Sequence, residues 1–227
     1  MIDKVIFDKL MMRYRHLGTR KIETTGAFLI GNASHIASEA WLNSVYPCLS
    51  EQETAELETL LDTTIPPEYR YFLQNISNGM NVLVDELCLF GKRNNYIRTS
   101  MDATRQPFNL RDALEEKPRN ATSDMFFIGG YSWDGSKLYI DKRNNSVHYC
   151  KRYDSTSLKS WDSLAEMIIS EVKRLYSLFD LDGKQIDENK LPMDCAHGKH
   201  HSCLGKYIVS ILFSAMTILS AVFQPIK

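Results

Sequence analysis

The chain has 227 residues, of which 44% are hydrophobic and 24% charged, the proportions of a folded domain rather than a disordered polymer. Lys and Arg total 27 against 28 Asp and Glu, and the resulting net charge of -1 removes any bulk electrostatic case for nucleic acid as partner. The cysteines, Cys48, Cys88, Cys150, Cys195 and Cys203, are odd in number and scattered, so at least one stays outside any intrachain pairing, which points to a reducing compartment.

The opening run MIDKVIFDKL is interrupted by Asp3 and Asp8 and does not read as a secretory signal. The Asn-x-Ser/Thr triplets at Asn32, Asn75, Asn120 and Asn144 are therefore read as chance matches. Residues 1 to about 47 read as helical with weak periodicity, and residues 1–34 as an N-terminal helical extension. Ser50 followed by Glu53 is a capping box, and Leu57, Leu60 and Leu61 supply the buried stripe of the helix it opens. Pro66 and Pro67 start the next helix, where a missing amide donor costs little. Tyr69, Phe72, Leu73 and Ile76 face its core side, and Asn78-Gly79 ends it.

Strands follow from Val82 to Tyr153. Leu138 and Ile140 alternate with Tyr139, Val147 and Tyr149 alternate with His148, and residues 142–145 form the turn: an antiparallel hairpin with one buried face. Gly129-Gly130 and Asp134-Gly135 punctuate this region. Residues 92–123, with Pro107 and Pro118, read as a mobile excursion from the sheet. A helix from Trp161 to Phe179, capped by Ser160, closes the domain with a stripe of Trp161, Leu164, Ile168, Val172, Leu175 and Phe179. The fold class is α+β, an antiparallel sheet flanked by helices, over residues 35–180.

A polar linker occupies residues 181–206, and residues 207–227 form a hydrophobic tail whose first 17, Tyr207 to Phe223, carry no charge. As a helix those 17 residues span about 25 Å, slightly less than a bilayer core, and adding residues 224–226 makes up the difference. Two readings stand: a membrane anchor, which is preferred, and a buried terminal helix. The chain is accordingly expected in the cytoplasm, with 207–223 as its attachment to a membrane.

Chemical motifs are sparse. Cys195, His197, His200, His201 and Cys203 are zinc-binding types, yet they contain no Cys-x-x-Cys pair and two of the histidines are adjacent, so a flexible linker is the preferred reading and metal binding stays open. GGYSWDG, residues 129–135, lacks both the dinucleotide and the phosphate-loop orders. No nucleophile accompanies His148, and no spacing pairs Asp85, Glu86, Asp134 or Asp141 for catalysis. The expectation is a non-enzyme without cofactor.

Four pieces together resemble the SMI1/KNR4-like, or SUKH, family. They are the Ile-Pro-x-x-Tyr-Arg-x-Phe-Leu run from Ile65 with its Asn78-Gly79 end; LCLFG, residues 87–91; FFIGGYSWDGSKLYIDKRNNSVHYC, residues 126–150; and SWDSLAEMIISEV, residues 160–172. Ile65 stands where Leu is more usual, and Met80 where a further Gly is common. The resemblance implies a non-catalytic α+β binding domain. Its bacterial members are similar to immunity proteins that neutralise toxins, often nucleases, and its fungal ones to regulators of cell-wall synthesis. It implies a protein partner, a toxin, bound through Tyr71, Asn78, Tyr131, Trp133, Asp134, Asp141 and His148, with Tyr69 either beside them or in the core. The alternative is a membrane-associated regulatory or scaffolding protein.

Overall fold

A computed structural model describes residues 1–187. The hydrophobic tail, the Cys195–Cys203 cluster and most of the polar linker lie outside the described residues. Among those described, no helix is long and apolar enough to cross a membrane.

Among the described residues nine strands form one sheet in chain order, every neighbouring pair antiparallel. The chain enters through α1 (Lys4–Met11), whose N-cap Asp3 accepts from the Val5 and Ile6 amides, and a 3-10 segment (Met12–Leu17). It then forms β1 (Thr19–Lys21), β2 (Phe28–Asn32) and β3 (Trp41–Val45). The helical expectation for residues 1–47 is thus corrected beyond Leu17. Short apolar runs such as FLIGN carry no decisive period, and their strand character comes from pairing with each other and with β4.

The expected capping box opens α2 (Glu51–Leu61): Glu53 N–H donates to Ser50 Oγ, and the Glu53 carboxylate accepts from the Ser50 amide at 2.8 Å. Its buried stripe is narrower than expected. Thr54 and Leu57 are buried, whereas Leu60 sits on the flank and is 55% exposed. Next, α3 (Pro67–Tyr71) continues as a π-helical turn (Phe72–Ile76), and Ser77 is already extended. Only Gly79 of the expected Asn-Gly stop takes the left-handed region, at φ +89°, where a Cβ would meet Leu89 O at 2.6 Å.

β4 (Met80–Val82) and β5 (Leu87–Leu89) lead to the short helices α4 (Met101–Thr104) and α5 (Leu110–Glu115), then to β6 (Met125–Gly130), β7 (Lys137–Asp141), β8 (Val147–Lys151) and β9 (Asp154–Trp161). Gly129 and Gly130 are not turn residues but the end of β6, at a bulge. A Cβ on Gly129 would lie 2.0 Å from Cys88 O, so glycine is what lets β6 approach β5. The closing helix α6 (Leu164–Tyr176) is capped by Ser163, not Ser160, because Trp161 pairs with Val147 as the last residue of β9.

Register assigns the two faces of the sheet. Phe126, Ile140, Val147 and Trp161 are successive cross-strand partners, and the ring of Phe126 meets Tyr69 of α3 at 6.3 Å; this is the helical face. Tyr69 belongs to that core: it is fully buried, and its hydroxyl donates to Ile128 O at 3.1 Å. Phe127, Tyr139 and Cys150 point the other way and are covered by Ala113 of α5, so the expected one-sided hairpin is buried on both faces. The register itself is as expected, with Leu138 opposite Tyr149 and Ile140 opposite Val147.

One amide joins the ends of this arrangement. Asn43 of β3, fully buried, donates to Met11 O at 2.8 Å and to the Tyr176 hydroxyl at 2.7 Å, and accepts from Leu83 N–H at 3.3 Å. Replacing it by alanine leaves those buried partners unsatisfied, so Asn43→Ala is expected to cost about 2–4 kcal/mol in urea denaturation, against about 1 kcal/mol for Tyr176→Phe. Equal costs for the two variants would remove Asn43 from this central role.

Candidate functional site

The seven residues expected to meet a partner fall into three groups. Asn78 and Tyr131 are inside the fold, which corrects their expected surface role. Asn78, 6% exposed, holds the start of the 92–109 loop by a two-way clamp: Lys92 N–H donates to its Oδ1 at 2.7 Å and its Nδ2 donates to Lys92 O at 2.9 Å. Tyr131, 2% exposed, donates to the Glu171 carboxylate at 2.9 Å. Tyr71 is half-buried at the C-terminal end of α3.

Trp133 and Asp134 form the second group, in the β6–β7 turn. Asp134 Oδ1 accepts from Ser136 N–H at 2.8 Å, and Gly135 N–H donates to Tyr131 O at 3.1 Å, so the turn is built from its own polar groups. Trp133 is half-buried and its Nε1 has no hydrogen-bond partner among the described residues.

Asp141 and His148 belong to the third group, about 14 Å away at the other end of β7. Asp141 is gripped by Arg143, whose Nη2 donates at 2.6 Å, while the Arg143 amide donates at 2.9 Å. This pairing holds the Asp141 carboxyl at about 2, below its ordinary range. Next to it His148 stacks on Tyr139, ring centroids 5.0 Å apart. Its Nε2 is 2.7 Å from Ser146 Oγ and its Nδ1 2.8 Å from Ser157 Oγ. Partial burial pulls the imidazole below its ordinary value, against the pull of Asp141, so it is neutral at pH 7. The result is a polar surface on β7, β8 and β9 whose side chains position one another. It offers an exposed guanidinium, a neutral imidazole and serine hydroxyls.

β9 extends this surface to the edge of the sheet, and all of residues 156–160 are exposed. Among the described residues no group of three or more metal-ligating side chains comes together.

Sequence reasoning missed a cavity of about 230 Å³ between the end of β3 and the 92–109 loop. The loop is not the expected loose excursion. Gly91 and Asn109 bridge its base. Inside it, Gln106 Oε1 accepts from the Asn94 amide at 3.0 Å, and Gln106 Nε2 donates to Asn95 Oδ1 at 3.1 Å and to Ala103 O at 3.0 Å. Outside it, Arg20 Nη2 pairs with Asp102 at 2.9 Å. Tyr46 lines the cavity from the β3 side. The only signal for this in the sequence was the density of Asn and Gln between residues 94 and 109, a composition that does not say where a loop folds back.

Asp141 makes the surface testable by pH. Its folded pKa lies below the ordinary carboxylate value of 3.8, so its stabilising contribution is complete above about pH 4 and is lost as pH falls toward 2. Asp141→Asn is therefore expected to lower stability at pH 7 but to flatten the loss between pH 4 and pH 2 in denaturation curves. A parallel loss in both proteins would show that the Arg143 pairing is not responsible.

The chain matches the model of the SMI1 / KNR4 family (SUKH-1) over residues 48–170, from just before α2 to the middle of α6. No curated protein and no solved structure matches it. The matched segment contains the 92–109 loop and the whole β7–β8 surface, and α1 and β1 to β3 precede it. On more than half of its length, then, and with the antiparallel sheet and flanking helices just described, this chain belongs to the SMI1/KNR4 (SUKH-1) family.

Proposed function

We propose that the chain is a non-catalytic protein-binding domain acting as an immunity protein, which neutralises a toxin, of nuclease type in the first instance, by stoichiometric occlusion. The family includes immunity proteins, which supports the class of function. The observation that carries the reading here is the pre-ordered polar surface of Asp141, Arg143, Ser146, His148 and Ser157. Groups already held by one another lose little freedom on binding, which favours recognition. A complex of ordinary size would bury about 1,600 Å² in total, enough to cover this surface together with the flank of β9. Trp133 and Asp134, at the far end of β7, are placed at the rim of that footprint.

The test is purification of the tagged full-length chain from its native cells, detergent-solubilised membranes included, followed by co-expression with each candidate toxin. The expected outcome is a one-to-one complex and restored growth. Combining Arg143→Glu with His148→Ala is expected to weaken the complex by about 30-fold or more under conditions in which circular dichroism shows the variant still folded, its melting temperature being lowered by the lost Asp141 pairing. Full protection by the double variant would move the interface elsewhere.

A second reading, a membrane-associated regulatory or scaffolding protein, is supported by the twenty uncharged residues between Lys206 and Lys227. Under that reading, deleting residues 207–227 releases the protein from the membrane fraction. A full-length chain that stays in the aqueous fraction without detergent would end it.

A further inference from the structure

A second cavity, of about 410 Å³, lies between the end of α2, α5 and the start of β6. Its lining is divided. Leu60, Leu61, Leu114 and Met125 supply an apolar part, and Leu60, 55% exposed, is an apolar side chain that the core leaves unused. Lys142, just after β7, supplies the polar centre. Its Nζ donates to Thr63 Oγ1 at 2.8 Å and lies 5.5 Å from the centre of the Phe126 ring. Thr63 and Phe126 both line the cavity, so the ammonium is held at its wall.

No carboxylate completes that ammonium. Lys142 N–H donates to Asp124 O at 2.8 Å and Asp141 precedes it in the chain, yet both carboxylates are turned to Arg143, at 4.0 and 2.6 Å. Of the other charges lining the cavity, Arg111 and Glu115 neutralise each other at 2.6 Å. Neither Lys117 nor Lys142 forms an ion pair among the described residues, and the one further charge in the lining is the Asp62 carboxylate. Two cations therefore stand against one anion. A half-buried ammonium matched only by a hydroxyl and a ring face is under-paired.

That balance selects the occupant. A phosphate group, with about two negative charges, would exceed it, and the Arg111 guanidinium that could grip its oxygens is already engaged. A neutral apolar group would leave the ammonium unpaired. A single carboxylate carried next to an apolar side chain satisfies both parts of the lining. We infer that this cleft receives an acidic side chain, flanked by an apolar one, from the protein partner, with the carboxylate on Lys142 Nζ and the apolar neighbour against Leu60 and Met125. The inference rests on the protein-binding reading above. Lys142 and Arg143 are consecutive, so the cleft adjoins the surface of Asp141, Arg143 and His148 and extends it toward α2 and α5. The Thr63 hydroxyl holds the ammonium in place beforehand, which lowers the cost of binding.

The first test needs no partner. The dipeptide N-acetyl-leucyl-glutamate α-amide is titrated into the full chain while amide resonances of Thr63, Met125 and Lys142 are followed by NMR. The corresponding leucyl-glutamine diamide and inorganic phosphate serve as comparisons. Saturable shifts confined to the cleft are expected for the glutamate peptide, and added salt is expected to weaken them. Lys142→Met, which keeps an aliphatic stem over Phe126, is expected to bind that peptide about tenfold more weakly, at the level of the glutamine peptide. Leu60→Glu, at an exposed helical position, sets a carboxylate against the incoming one and is expected to weaken binding about tenfold with the rest of the spectrum retained. No saturable shift in the natural chain, equal binding of the two peptides, phosphate binding as tight as that of the glutamate peptide, or undiminished binding by Lys142→Met overturns the inference. The second test uses the partner complex, with circular dichroism showing both variants folded. If that complex forms equally well with Lys142→Met and Leu60→Glu, the cleft is refuted as a contact and the binding function stands. If the cleft takes the glutamate peptide but no partner is recovered, it is the binding function that fails.

Discussion

The structure depends on a single buried amide. Asn43 uses both N–H donors and its carbonyl at once, on Met11 at the end of α1, on Tyr176 at the end of α6 and on Leu83 in the β4–β5 turn. These elements are remote in sequence, and the first and last helices can cover the same face of the sheet only if their ends meet there. The turn gains as much as the helices do. Leu83, Val84 and Asp85 all take the left-handed region, a costly conformation for a leucine and a β-branched valine. It is held by the Asn43 carbonyl, by Val84 N–H donating to Leu42 O at 2.9 Å, and by Asn81 Nδ2 donating to the Asp85 carboxylate at 2.5 Å.

A second buried centre lies along α6, just past its middle. Glu171 is fully buried and accepts from Tyr131 at 2.9 Å, Lys159 at 2.5 Å and Arg174 at 2.9 Å. Burial alone would push its carboxyl up, but Arg174 and Lys159 together outweigh that and draw it below the ordinary value. A buried charge of this kind constrains register more than it adds stability. Its stabilising effect is present above the ordinary carboxylate pKa and is lost as pH falls through the folded one. It joins β9, the edge strand, to the helix behind it. The outer surface of β7 to β9 therefore rests on a sheet fastened from behind, while its own polar groups need only position one another.

That division explains where the open surface lies. The helical face is consumed by the core. On the other face, α5 covers Phe127, Tyr139 and Cys150, the 92–109 loop folds over the end of β3, and the outer part of β8 and β9 is left open. Polar side chains there are paired locally, as Asp141 is with Arg143, so the surface presents directed donors rather than net charge.

The sequence by itself determined the features whose causes are local. The Ser50–Glu53 box, the proline start at Pro67, the register of the β7–β8 hairpin and the Leu164, Ile168, Val172 and Leu175 part of the α6 stripe each follow from bonds or periods within a few residues, and each is found in the structure, whereas Trp161 and Phe179 fall outside the helix. So did the family, because its motifs are such local signatures in a fixed order. Tertiary structure alone decided the rest. Whether FLIGN and WLNSV become strands depends on partners distant in the chain. Ser163 rather than Ser160 caps α6 because β9 claims Trp161 first. The family resemblance implied Tyr131 and Asn78 as contact residues; only the positions of Glu171 and Lys92 show that their hydrogen bonds are spent inside. The cavity beside Tyr46 has no local signal at all, because it is the space between two segments whose separation is set by the closure of the 92–109 loop, and no periodicity encodes a distance between non-neighbours.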